Sequence, residues 1–194
     1  RASGWTEGQL KSHTIAYWNF QRPSAREGED ETARIQWYVG TLLPEELNYA
    51  FSRPHLTPPA ECDTLVVLVG HSPEPLFQAI GVYEPERLVL VLNQLYGKPG
   101  SAGCQTGKQR GEQMKGWIGQ LLAPMLDRLP TSICLCPAAD QPDQVFRALN
   151  NEVLKHQREG KRVVVDITGA KKSMVAGAFV FAAYAGVEIS YVDF

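Results

Sequence analysis

The sequence contains no apolar run near the ~18 residues needed to cross a membrane, and no charged-then-apolar leader opens it. It has no surplus of positive charge either: 19 Lys and Arg stand against 21 Asp and Glu, a formal charge of -2. A chain so balanced has no global basic field with which to hold duplex nucleic acid by its phosphates, so any anionic ligand must be gripped locally. Cysteine is scarce and unpatterned. Cys62, Cys104, Cys134 and Cys136 form no CxxC pair, and no His stands at zinc-ligand spacing from them, which excludes a disulfide scaffold and a structural zinc site. They read as reduced thiols of a cytoplasmic protein, with Cys134 and Cys136 as two small hydrophobes sharing one face of a strand. No internal repeat stands out.

What is present is 194 residues of 44% hydrophobic content, enough for one sizeable core. From Thr64 onward, strand-like and helix-like segments alternate, the pattern of an open parallel sheet covered by helices. The strands expected are "TLVVLVG" (Thr64 to Gly70), "RLVLVLN" (Arg87 to Asn93), "SICLC" (Ser132 to Cys136), "RVVVDI" (Arg162 to Ile167) and "VEISYVDF" (Val187 to Phe194). Near-continuous β-branched and Leu runs are what strands buried on both faces need. Helices are expected over Glu74 to Gly81, Gly111 to Leu129, Pro142 to Gln157 and Lys171 to Ala185. In the second, Met114, Trp117, Ile118, Leu121, Leu122, Met125 and Leu126 form one stripe, and Pro130 follows. The last is apolar nearly all round, so cover is expected on more than its sheet side, from the N-terminal segment or a partner subunit.

The expected fold is therefore α/β, a Rossmann-like open parallel sheet of order 3-2-1-4-5 with helices on both faces, spanning residues 64–194. Residues 1–63 read as an N-terminal extension of unknown role that packs its aromatics on the core or on a partner chain. In it, "HTIAYWNF" is read as a strand, "REGEDE" as an acidic loop, "IQWYVGTLL" as an apolar stretch and "PHLTPPAE" as the end of a linker. The chain begins at Arg1 and stops just after a strand-like run. It reads as a piece of something longer, in which a membrane tether or an effector would lie outside this segment.

In a sheet of that order the ligand crevice opens at the carboxyl ends of the first and fourth strands, where the winding reverses. The turn after the first is "GHSPEP", Gly70 to Pro75, and the turn after the fourth is "TGAKKS", Thr168 to Ser173. The second turn opens a helix, so free backbone amides and the positive dipole end face the crevice, with Lys171 and Lys172 adding full charges. Thr168 and Ser173 supply hydroxyl donors, while Gly169 and Ala170 leave room for a phosphate. Two lysines at a helix start are electrostatically unfavourable by a few tenths of a kcal/mol up to ~1, and an anion is the reason sought for them.

Familiar phosphate fingerprints do not fit. "GHSPEP" is not GxGxxG, and Asn93 ends the second strand where a dinucleotide site wants an acid. "GCQTGKQ", Gly103 to Gln109, has the wrong glycine spacing for a P-loop and no strand directly before it. The Gly-rich segment Gln94 to Lys108 reads as a mobile flap over the crevice. Glu74 and Asp166 are the only acids expected near the two turns, so no metal and no cofactor is expected there.

The run Asp166, Thr168, Gly169, Ala170, Lys171, Lys172 and Met174 resembles the DxTGGTKxM signature of the CRISPR-associated Rossmann fold, or CARF, domains. Ala170 replaces the second Gly and Lys171 the Thr. "LVVLVGHSPEPLFQAI" followed by "EPERLVLVLN" is similar to that family's opening βαβ unit. The resemblance implies a homodimeric sensor of cyclic oligoadenylate, most simply the tetra-adenylate, in prokaryotic type III CRISPR signalling, controlling a fused or associated effector. A cyclic tetranucleotide has two-fold symmetry, as does an isologous dimer. On this resemblance Lys171, Lys172 and Ser173, with Thr168, Gly169 and Ala170, meet phosphates, while Gly70, His71, Ser72, Asn93 and Gln94 meet adenine edges and 2′-hydroxyls.

Two other functions compete. A metal-independent ring nuclease would use Ser72 and Lys172 to place a 2′-hydroxyl in line with its own phosphate. A Rossmann-type enzyme on a small phosphorylated metabolite would take one ligand per chain, whereas the sensor takes one ring per dimer.

Overall fold

The computed structural model describes residues 4–19, 30–53, 61–101, 103–126, 128–137, 140–158 and 160–192. The chain divides into two compact units, Arg1–Pro59 and Ala60–Asp193.

In the first unit, helix α1 (Glu7–Trp18) opens on a capping box in which the Thr6 hydroxyl accepts from the Gln9 amide and the Gln9 side chain accepts from the Thr6 amide. That box corrects the strand reading of "HTIAYWNF". The Thr6–Gln9 box upstream of His13 already commits the chain to helix, and β-propensity at Thr14 and Ile15 is overridden. Phe20 and most of "REGEDE" and "PHLTPPAE" lie outside the described residues. Helix α2 (Glu31–Trp37), capped by Asp30, runs through a π-helical turn (Tyr38–Leu42) into α3 (Leu43–Ser52). The "IQWYVGTLL" stretch is thus helical, and its Ile35, Tyr38, Val39, Leu42 and Leu43 are buried. Tyr38 donates its hydroxyl to Glu46 Oε2 at 2.6 Å, which neutralises the cost of burying that carboxylate.

The second unit is the expected sheet. Strands β1 (Thr64–Val69), β2 (Arg87–Leu92), β5 (Ser132–Pro137), β6 (Val163–Asp166) and β7 (Glu188–Ser190) are ordered β5-β2-β1-β6-β7, every pair parallel. This is the 3-2-1-4-5 order expected from the five runs. Strand alternation sends Val66, Leu68, Val89, Val91 and Val165 to one face, where they form a core with Val145, Leu149 and Val153 of α6 (Pro142–Arg158) and Met174, Ala178 and Phe181 of α7 (Lys172–Ala185). Helices α4 (Glu74–Tyr83) and α5 (Gly107–Trp117) pack against β1, β2 and β5. On α7, Phe179 (52%), Val180 (61%) and Tyr184 (68%) are exposed, so the described part of the second unit leaves a stretch of that apolar helix uncovered.

Helix α5 departs from expectation at both ends. Thr106 caps it with Gln109 in a second capping box, so it starts before Gly111; it then continues as a π-helical turn (Ile118–Leu122) and ends well short of Leu129. The segment that mimics a P-loop is this cap. Two short strands, β3 (Leu95–Tyr96) and β4 (Gln105–Thr106), pair antiparallel ahead of it, so the Gly-rich flap has a structured stem, and Lys108 belongs to the helix.

At the amino end of the sheet, Arg162 ties three strands together: its amide donates to Asp63 Oδ2 at 2.7 Å and its guanidinium to Glu188 Oε2 at 2.7 Å. At the carboxyl end the close contact is backbone on backbone. A Cβ on Gly70 would stand 1.7 Å from the Gly169 carbonyl oxygen. Gly70→Ala is therefore expected to lose at least ~2 kcal/mol in urea denaturation, whereas Gly116→Ala, with nothing within 4 Å of its added Cβ, is expected to gain roughly 0.5–1 kcal/mol. Equal effects would contradict the packing.

Candidate functional site

The chain leaves β1 and β6 side by side through two small-residue turns. Gly70 is buried against Gly169, and a Cβ on Gly169 would touch Pro75 Cβ at 3.5 Å in ordinary contact. The turns that the strand order brings to the winding reversal are thus in van der Waals contact. Neither glycine has positive φ among the described residues, so closeness, not backbone conformation, accounts for Gly70.

On the β6 side, Asp166 is fully buried at the strand end. Its Oδ1 accepts from the Thr168 amide at 3.1 Å and its Oδ2 from the Thr168 hydroxyl at 3.0 Å, while that hydroxyl oxygen accepts from the Val192 amide at 2.8 Å. The Thr168 hydroxyl therefore braces the turn internally and is spent before any ligand arrives. Burial pushes the Asp166 carboxyl up to about 6, against the downward pull of its hydrogen bonds from Thr168 and Ser190. The half-buried Ala170 closes the turn, its amide donating to the Ile167 carbonyl at 3.2 Å.

Lys171 is the N-cap of α7 and supplies no side-chain acceptor. The first-turn amides of α7, those of Lys172, Ser173 and Met174, are accordingly left without a side-chain cap. The Lys171 ammonium pairs with Asp140 Oδ2 at 2.8 Å. Asp140 is a third acid beside the turns, which corrects the expectation that Glu74 and Asp166 were alone there; it comes from the connection before α6, and nothing in its local sequence marks it. Lys172 is exposed and, among the described residues, makes no ion pair or hydrogen bond. Ser173 is half-buried beside it.

On the β1 side, His71 and Ser72 are exposed at the tip of the turn and Glu74 is buried in the first turn of α4. Asn93, just past β2, is fully buried; its Nδ2 donates to the Val69 carbonyl at 3.3 Å. Gln94 is exposed, and its carbonyl accepts from the Gly107 amide at 2.8 Å. So the structure gathers Gly70, His71, Ser72 and Asn93 at one end of the sheet with the Thr168–Ser173 turn, but Asn93 lies below the surface. Sequence reasoning did not find Arg110. Buried to 4% exposure, it donates from Nη2 to the His71 carbonyl at 2.7 Å. A helix Arg at that spacing has no signal in the sequence, because its partner is a backbone atom of a distant turn.

Among the described residues no group of three or more His, Cys, Asp or Glu is placed to hold a metal ion, and no helix is long and apolar enough to cross a membrane. The four cysteines are free thiols. Burial pushes Cys62 up to about 12 and Cys136 up to about 11, so neither supplies a thiolate nucleophile at neutral pH.

The sheet order and the parallel strands flanked by helices define a Rossmann-like fold. Among solved structures the chain is similar to Can2 from Sulfobacillus thermosulfidooxidans, which was solved in complex with cyclic tetra-adenylate: TM-score 0.50, 22% identity, over 68% of this chain and 32% of that one. The chain thus spans about a third of Can2, and the likeness is one of fold. No protein-family description and no curated protein matches the sequence.

The buried Asp166 makes stability depend on pH. Its folded carboxyl holds a proton more tightly than the unfolded chain does, from 3.8 up to about 6. Its contribution is therefore fully present below about pH 4 and lost as pH rises through about 6, on the order of 3 kcal/mol. The stability of the wild type relative to Asp166→Asn is expected to fall across that window in urea denaturation at stepped pH. A difference that stays flat would contradict the assignment.

Proposed function

We propose that this chain is a cyclic oligoadenylate sensor, acting as a homodimer in type III CRISPR signalling and controlling an effector that lies outside it. The observation that carries the reading is the contact between the Gly70 and Gly169 turns, which joins a helix start without a side-chain cap and the exposed Lys172 to the exposed His71 and Ser72 at one end of the sheet. One half has the chemistry of a phosphate cradle. The other offers an imidazole and a hydroxyl to base edges and 2′-hydroxyls. The fold shared with Can2, a protein solved with cyclic tetra-adenylate, supports that ligand class, as does the resemblance of the Asp166–Met174 run to the CARF signature. In the proposed dimer the two crevices face one another across the dyad, so that each half of a two-fold symmetric ring meets the same residues.

Calorimetric titration with cyclic tri-, tetra- and hexa-adenylate tests this. One ring per two chains is expected, with the tetra-adenylate tightest. One ligand per chain would favour a metabolite enzyme, and no heat with any ring would overturn the sensor reading. Products of prolonged incubation in EDTA separate sensing from cleavage: an intact ring is expected, and 2′,3′-cyclic phosphate ends would make Ser72 and Lys172 ring-nuclease residues.

Lys172→Ala is expected to weaken ring binding at least tenfold, since a charge-assisted contact to phosphate contributes about 1.5 to 3 kcal/mol. Lys171→Ala is expected to cost less, because the Lys171 ammonium is already held by Asp140. Negligible effects from both would move the anion site elsewhere.

A further inference from the structure

The strand-1 turn owes its shape to residues that are not in it. Arg110 of α5 reaches across to the His71 carbonyl at 2.7 Å and, through Nη1, to Gln113 Oε1 at 2.9 Å. Its guanidinium carbon lies 5.8 Å from the Tyr96 ring centroid and 5.5 Å from that of Trp117. The Tyr96 ring in turn meets the His71 ring edge to face at 5.6 Å. The Tyr96 hydroxyl donates to the Val69 carbonyl at 3.0 Å and accepts from the Asn93 amide at 3.1 Å. One contact holds His71 by its backbone, the other by its ring, and both come from the stem of the Gly-rich segment: Tyr96 from β3, Arg110 from the helix that follows β4.

A buried guanidinium is expensive unless its donors are used and its faces are stacked. Here Nη2 and Nη1 are used by the His71 carbonyl and Gln113, and the Tyr96 and Trp117 rings lie beside the guanidinium. The hydrogen bonds and ring contacts of Arg110 and Tyr96 run to His71, Val69, Asn93, Gln113 and Trp117, on the β1 and β2 side of the sheet end. The β1 turn is thus supported from behind by α5 and β3.

The geometry points to Arg110 and Tyr96 as positioning residues that aim His71 and Ser72 at the nucleoside part of the ligand, leaving the phosphate cradle to the β6 turn. This rests on the sensor reading for the identity of the ligand, and on the contacts alone for the control of the turn. Lys at position 110 keeps the charge but loses the planar fork and its stacking.

Arg110→Lys is expected to weaken cyclic tetra-adenylate binding about 3- to 10-fold, the loss of roughly one positioned contact. In double-mutant cycles it should be non-additive with Ser72→Ala, whose contact needs the aimed turn, and additive with Lys172→Ala. General destabilisation would not produce that asymmetry. A ligand-free measurement accompanies it: the imidazole proton resonances of His71, identified by their loss in His71→Gln, are expected to shift in Arg110→Lys and in Tyr96→Phe while those of His13 stay in place. Additivity with both partners, or unmoved His71 resonances, would overturn the inference. Should the wild type bind no ring, the sensor reading falls, and the His71 resonances decide whether Arg110 and Tyr96 hold the turn.

Discussion

The carboxyl end of the sheet depends on the Gly169 backbone lying against Gly70 with no side chain between them. Parallel neighbours β1 and β6 must diverge there, since α4 and α7 cover different strands. A side chain at Gly70 would wedge the two exits apart. With only hydrogen in that place, the chain can present two turns from distant parts of the sequence as one surface. Asp166 then locks the second exit by accepting twice from Thr168, whose own hydroxyl oxygen accepts from the Val192 amide just past β7. Burying a carboxylate for this purpose is costly, which its raised proton affinity records.

The two halves built on that contact differ in kind. The β6 half is electrostatic and mostly backbone: helix amides, one exposed lysine, and a second lysine shared with Asp140. The β1 half is made of side chains held by side chains, with Tyr96 and Arg110 behind His71. A ligand with both charged and planar parts suits this division better than a simple anion would, because an anion alone leaves the second half unused.

The sheet was legible because Thr64–Val69, Arg87–Leu92 and Val163–Asp166 are buried on both faces and so had to be written as unbroken apolar runs. Once their order followed from doubly wound topology, the junction of the two turns followed too. What was not legible depends on competition or on distance. "HTIAYWNF" carries β-branched and aromatic residues, yet Thr6 and Gln9 upstream had decided the matter. The start of α5 hid in a glycine-rich stretch whose Thr106 and Gln109 form the same kind of cap. Arg110 and Asp140 act through partners far off in the chain, and no local pattern announces them.

The start of α7 has a thermodynamic consequence. A helix whose N-cap is a lysine, with another lysine behind it, begins in the orientation its own dipole disfavours. The folded chain therefore stands below the stability that an Asp or Ser cap would give it, by about 1 kcal/mol. Any anion that settles on those amides recovers the deficit, so that occupancy of this corner and resistance to unfolding are two readings of one equilibrium. The melting temperature of the protein is in that sense a gauge of what its crevice holds.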